Sequence, residues 1–476
     1  MNYPSTAVRS QLALLLALAL ISVVAGAAVP APVAQALAAA AIPETAVGLY
    51  VQDVGANRPV VAHGAERALN PASTMKLVTT YSALELIGSA YTWSTEVYAT
   101  GAVQDDVLDG DLVIKGYGDP KLTLENFWLM LRNLRARGIR EIRGDVVLDR
   151  TFFAADDYDP ARFDEQPLRP YNTGPDALLV NFKAVTLQFV PEAAARAVRL
   201  ISEPLLPELQ VVNNVVVDDV PCGDWVSRLK IDSQGTSETA RLLIGGAYSR
   251  DCGERTRSFS LLSHRAYVAG LFTQLWRELG GTVAGAVRDG QVPAGARLIM
   301  STRSDALSEV IRDINKYSNN VMARQLFLTL GALGEGAPGT LAKARNVIHQ
   351  WLTEKGAPTG EFVMENGSGL SRSERITARG MGELLLAAFR SPVMPELMAS
   401  LPVVAVDGTM KKRLSNAEVA GQAHIKTGSL SGVRSIAGYV LDAKGRRMVV
   451  VFIVNHANAV NAQPAQDALL RWIYRR

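Results

Sequence analysis

One stretch constrains this chain more than any other: Pro71-Ala72-Ser73-Thr74-Met75-Lys76-Leu77, followed by Val78, Tyr81, Ala83, Leu84, Leu86 and Ile87 and stopped by Gly88. The spacing predicts a helix that is apolar on most sides, and such a helix has to lie inside a domain. Ser73 and Lys76 stand three residues apart at its start, so they share one face and can meet. A serine hydroxyl is a weak nucleophile until a base takes its proton. A lysine becomes that base when burial or a neighbouring cation lowers its pKa. A buried helix start supplies the low dielectric. An S-x-x-K pattern also arises by chance roughly once or twice in a chain this long, so the rest of the sequence decides its meaning.

Two further groups can complete a site around this pair. Tyr317-Ser318-Asn319-Asn320 falls between two predicted helices, 245 residues after Ser73. A hydroxyl at Ser318 can relay a proton, and the Asn320 amide can hold a substrate carbonyl or orient a lysine. Taken alone, the same residues also read as a helix N-cap. Lys426-Thr427-Gly428-Ser429 falls on a predicted strand edge. Lys426 offers a cation to a carboxylate and Thr427 a hydroxyl, and Gly428 lets a substrate approach the strand closely. The backbone N–H groups of Ser73 and Ser429 can form an oxyanion hole.

The chain has 476 residues, 48% hydrophobic and 20% charged, enough for two or three domains. A net charge of +3 and short basic runs give no reason to expect a nucleic-acid partner. Arg9 is the single charge in the first forty residues, and residues 12–25 are an apolar core. This predicts a signal peptide within residues 1–40, cleaved between about 27 and 40, with Ala25-Gly26-Ala27 and Ala34-Gln35-Ala36 as sites. Pro30, Pro32 and Gln35 interrupt the apolar stretch and argue against a membrane anchor. Residues 463–476 are too short and too close to the last strand for an amphipathic anchor. A periplasmic protein is expected, soluble or loosely membrane-associated, with no transmembrane anchor after signal removal.

Residues 41–92 and 298–476 read as one unit. It holds a hairpin at 43–64, helices near 304–315, 319–330, 341–355 and 377–390, strands near 424–426, 435–441 and 448–454, and a closing helix. The first hairpin and the last strands are expected to share a sheet. Residues 93–176 with 258–297 read as an inserted α/β domain. Residues 177–257 read as an inserted β-rich domain of short strands between polar turns. Cys222 and Cys252 fall in or beside it. Export favours a disulfide between them. Closing a loop of about thirty residues would add roughly 3–4 kcal/mol in the chain-entropy model; two buried thiols are the alternative.

The order S-x-x-K, S-x-N, K-T-G is found in penicillin-interacting serine enzymes. With Asn366-Gly-Ser-Gly-Leu-Ser-Arg372, Val406-Asp-Gly-Thr-Met-Lys-Lys-Arg413 and His424-Ile-Lys-Thr-Gly-Ser-Leu-Ser-Gly-Val-Arg434, the chain resembles the D-alanyl-D-alanine carboxypeptidase/endopeptidase family. These are the class C low-molecular-mass penicillin-binding proteins, and the resemblance covers nearly the whole mature chain. The long gap between the first two motifs is similar to theirs and unlike that of β-lactamases.

The resemblance implies an α/β (α+β) multidomain fold, a transpeptidase/β-lactamase-like catalytic domain carrying two inserted domains. It implies that Ser73 attacks the D-Ala-D-Ala carbonyl of a peptidoglycan stem peptide, with Lys76 as base and Ser318 and Lys426 as proton relay. Asn320 would position the acyl chain, and Lys426, Thr427 and Ser429 would receive the terminal carboxylate. Asp149 and Phe153 would contact the diamino-acid side chain. β-Lactam antibiotics would acylate Ser73. No cofactor is implied, and His63, His264, His349, His424 and His456 show no metal spacing. A β-lactamase or an inactive wall-binding scaffold on the same residues are the alternatives. Glu66-Arg67-Ala68-Leu69-Asn70 matches a water-positioning pattern of β-lactamases but precedes Ser73, so it reads as a polar loop.

Overall fold

The computed structural model describes residues 28–155, 158–192, 197–357 and 361–476. Residues 448–454 are apolar at every position, and they form the middle of a five-stranded antiparallel sheet. Its order is Val61–His63, Val47–Asp53, Arg447–Asn455, Val433–Leu441, Ala423–Leu430. Successive side chains of a strand point to opposite faces. Val449, Val451 and Ile453 pack with Tyr50 and Tyr439 and with Leu384 and Leu385 of the helix Ala378–Arg390. Met448, Val450, Phe452 and Val454 pack on the other side with Leu469 and Leu470 of Gln463–Arg475 and with Val33 and Leu37 of Ala31–Ala39. Both faces are covered, so the strand shows no polar alternation. The first hairpin and the last strands do share this sheet.

Helix Ala31–Ala39 is a departure from the sequence reading, which places no folded element before residue 43. The Ala34-Gln35-Ala36 cleavage option lies inside it. Residues 1–27, with the apolar signal core and Ala25-Gly26-Ala27, lie outside the described residues.

Between residues 94 and 303 the chain builds three more sheets. A mixed one runs Val287–Asp289, Val146–Asp149, Leu112–Gly116, Ser94–Ala99, Arg297–Arg303. A small four-stranded sheet and the helices Leu124–Ala136 and His264–Glu278 accompany it. The strand Arg297–Arg303 is absent from the sequence reading; it pairs antiparallel with Ser94–Ala99, so the expected boundary at 297/298 cuts through its start. The third sheet has six strands between Val185 and Phe259. Its Cys222 and Cys252 form a disulfide.

A helix of the first unit, Asn320–Glu335, makes several of the bonds that fasten these sheets. Gln325 exchanges two 2.8 Å hydrogen bonds with the Asp176 backbone. Arg324 donates to Thr173 O at 2.9 Å, and Thr329 Oγ1 accepts from Trp93 Nε1 at 3.0 Å. The helix Lys76–Leu86 packs against this same helix, and its residues 76 to 84 are all buried, as its composition demands.

Candidate active site

The Ser73 turn is built from unusual backbone. Ala72 has φ +48°, a conformation that strains a residue with a Cβ. It opens a 3-10 turn, Ala72–Met75, that passes directly into the helix Lys76–Leu86. Neighbours hold it there. Asn70 Oδ1 accepts from Ala72 N at 2.9 Å, and Asn70 Nδ2 donates to Ser371 O at 2.8 Å. The Asn70 backbone exchanges two further bonds with the side chain of Asn455. Ser435 Oγ donates to Pro71 O at 2.5 Å. Within the Glu66–Asn70 pattern, Asn70 thus holds the turn, and Glu66 pairs with Arg379.

Lys76 is fully buried beneath this turn. Its Nζ lies 3.1 Å from Ser73 Oγ, donates to Asn320 Oδ1 at 2.6 Å and also bonds Ser368 O. Burial, with Lys426 and Arg324 as neighbouring cations, holds its pKa well below the usual lysine range. An amine that is easily neutral, in contact with a hydroxyl, can take that hydroxyl's proton.

Ser318 and Lys426 make a second pair. Ser318 has φ +56°, again strained for a non-glycine, and Asn319 caps the helix after it by accepting from Met322 N at 3.1 Å. The loop therefore caps a helix through Asn319, and it also holds Ser318 beside Lys426. Lys426 Nζ donates to Ser318 Oγ and to Thr427 O, each at 2.9 Å. Burial pushes the Lys426 amine down to about 7.

Strand Ala423–Leu430 is the edge of the five-stranded sheet. Thr427 and Ser429 lie two apart and so share one face. Thr427 Oγ1 donates to Thr409 Oγ1 at 2.8 Å, and Ser429 Oγ accepts from Arg434 at 2.5 Å. The role of Gly428 differs from expectation. A Cβ there would meet Ser435 Oγ at 2.2 Å, Pro71 O at 2.7 Å and Ser73 N at 3.0 Å. Its missing side chain admits the Ser73 turn, a part of the protein, against the strand.

A model of the D-Ala-D-Ala carboxypeptidase 3 (S13) family matches residues 29–475. The chain belongs to that family. It is similar to the D-alanyl-D-alanine carboxypeptidase of Actinomadura sp. (strain R39), 30% identical over 440 residues, 89% of this chain and 80% of that one. It is also similar to the D-alanyl-D-alanine carboxypeptidase DacB of Haemophilus influenzae, 25% identical over 411 residues, 86% of this chain and 85% of that one. Its fold is that of the crystal structure of penicillin binding protein 4 from H. influenzae, with a TM-score of 0.78 at 23% identity, covering 93% of this chain and 99% of that one.

Within this S13 chain, Asp149 and Phe153 have their partners outside the three motifs. Asp149 is 1% exposed. Its Oδ1 accepts from Thr151 N and Oγ1, its Oδ2 from Val292 N, and Lys115 pairs with it at 3.5 Å. Phe153 is packed with Ala177 and Leu328, in a bridge to Gly339. Asp149 ties together segments of the mixed inserted sheet, and Phe153 packs that region against the first unit. His424 Nδ1 is 3.2 Å from Met398 O, a packing contact.

Glu374 and Arg324, absent from the sequence reading, complete the buried floor of the S13 site. Glu374 Oε1 accepts from Glu365 N and Asn366 N. Asn366 in turn accepts from Ser368 N at 3.0 Å and Oγ at 2.7 Å, and Ser368 O receives Lys76. Burial raises the Glu374 carboxyl to about 7, against the pull of Lys76. Arg324 lies one turn beyond Asn320 and is buried too. Only the Asn366–Arg372 stretch hinted at this loop.

Proposed function

We propose that this chain is a serine D-alanyl-D-alanine carboxypeptidase that also cleaves D,D cross-links of peptidoglycan. The observation that carries the reading is the juxtaposition of two serine–lysine pairs, Ser73–Lys76 at 3.1 Å and Ser318–Lys426 at 2.9 Å. Asn320 joins them, being bonded to Lys76 and two residues from Ser318.

Lys76 takes the proton of Ser73, whose oxygen attacks the D-Ala-D-Ala carbonyl. The backbone N–H groups of Ser73 and Ser429 hold the oxyanion, a role favoured by the close seating of Gly428 on Ser73 N. Collapse breaks the C–N bond, and the leaving amine takes a proton through Ser318 and Lys426. Lys426, Thr427 and Ser429 receive the substrate carboxylate, and Asn320 orients Lys76 and the acyl chain. Water then hydrolyses the ester and frees the peptide. Penicillin enters the same path and stops at the acyl-enzyme.

The protein acts in the periplasm. Among the described residues no helix is long and apolar enough to cross a membrane. Val33 and Leu37 are buried against the sheet, which favours signal cleavage at Ala25-Gly26-Ala27 over the later option; N-terminal sequencing of secreted protein tests this.

Intact-protein mass after brief exposure to benzylpenicillin, followed over hours, tests the main reading. A stable adduct on the native protein and none on Ser73→Ala supports it. Rapid drug turnover without a lasting adduct would make the protein a β-lactamase, and no adduct at all would make it a scaffold.

A further inference from the structure

Arg434 stands directly opposite Ser429 in the antiparallel pair of strands Ala423–Leu430 and Val433–Leu441. Opposed residues of such a pair place their side chains on one face. Thr427, Ser429 and Arg434 therefore lie together on one face of this strand pair. The Arg434 guanidinium donates to Ser429 Oγ at 2.5 Å. Among the described residues no carboxylate lies within 4.0 Å of it, whereas its basic neighbour Arg413 is paired with Asp467 at 2.5 Å.

The direction of the Ser429 bond matters. With its oxygen engaged by Arg434, the hydroxyl hydrogen of Ser429 is left to donate outward. The guanidinium still has further N–H donors in its fork. A half-buried cation without an acid partner, next to a hydroxyl set to donate, is complementary to an anion and above all to a carboxylate.

We propose that Arg434 is a specificity-determining residue that recognises the C-terminal carboxylate of the substrate, acting beside and through Ser429. This rests on the reading of Ser73 as nucleophile and of Thr427 and Ser429 as the carboxylate end of the cleft. It adds a guanidinium charge from the neighbouring strand, which the three motifs do not contain.

Benzylpenicillin and its methyl ester differ only in that carboxylate. The test measures the second-order acylation rate of each by intact-protein mass, in wild-type protein and in Arg434→Ala, Arg434→Gln and Arg434→Lys. Wild type is expected to prefer the acid strongly. The acid-to-ester ratio is expected to fall about 10–100-fold in Arg434→Ala and Arg434→Gln, the value of a charge-assisted hydrogen bond, and less in Arg434→Lys. An unchanged ratio, or both rates falling together, would overturn the proposal. Arg434→Gln keeps most of the side-chain volume should the alanine variant not fold. A wild type acylated equally by both compounds sinks the Arg434 proposal alone. A wild type acylated by neither sinks the Ser73 reading and this proposal with it.

Discussion

Lys426 Nζ donates to Ser318 Oγ at 2.9 Å, joining an edge strand to a strained loop 108 residues earlier in the chain. This bond gives the hydroxyl of Ser318 a charged or chargeable neighbour that is fixed by burial rather than by sequence proximity.

If the pair passes the proton to the leaving amine, Lys426→Met and Ser318→Ala each slow acylation by benzylpenicillin about 10²–10⁴-fold. Acting as one unit, they are not additive, so the double variant is expected to be no slower than the worse single one within about threefold. Stopped-flow acylation rates check this. Additive losses would separate the two residues.

Gly428→Ala is a test of close approach. The added carbon meets Ser435 Oγ and two backbone atoms of the Ser73 turn, so the turn has to shift. A displacement near 1 Å at the reacting atoms costs about 100-fold. The variant is expected to fold, with acylation lowered by that order, as read from melting temperature and adduct formation together.

Glu374 gives a pH signature. Its folded-state pKa is raised to about 7, so its protonated form stabilises the fold. That contribution is full below the unfolded carboxylate pKa and is lost as pH rises through about 7. Glu374→Gln keeps an acceptor for the Glu365 and Asn366 N–H groups and cannot ionise. Its stability relative to wild type is therefore expected to improve between pH 4.5 and 8, by roughly 3 kcal/mol at most. Denaturant unfolding at both pH values decides; a constant difference would mean Glu374 does not titrate there.

The disulfide stabilises a part of the molecule remote from the chemistry. Cys222→Ser with Cys252→Ser is expected to cost about 2–5 kcal/mol in the six-stranded unit. Acylation by penicillin at 25 °C should survive in the same protein. Lost acylation in a still-folded variant would tie the β-rich unit to the site.

Much of this was legible in the sequence because it was local. The six strands between Val185 and Phe259 are short β-like runs that end at polar turns, and each lies within a few residues of its expected place. Arg297–Arg303 escaped because Met300 is its one buried residue, which leaves no alternation to read. Helix Ala31–Ala39 was hidden by the alanine-rich sequence that continues from the signal core. Ser73, Lys76, Ser318, Asn320 and Lys426 come from three short motifs, and the fold draws them together. Glu374 and Arg324 carried no signal: beside Ser373 and Arg375 a glutamate looks solvated, and only the tertiary fold buries it. Asp149 differs in kind: its buried carboxylate is engaged by Thr151, Val292 and Lys115 of its own neighbourhood.

The order of the five-stranded sheet has a temporal meaning. Strand Arg447–Asn455 lies between Val47–Asp53 and Val433–Leu441, so the two ends of the chain meet across it. A growing polypeptide has the Ser73 helix early, but the strand that seats the Ser73 turn comes after residue 420, and the sheet cannot close before residue 455 is made. Contacts of such sequence separation also form slowly. The strand that carries Lys426 is thus among the later parts of this chain to be made, and a copy that stops short of residue 455 is expected to lack the assembled site.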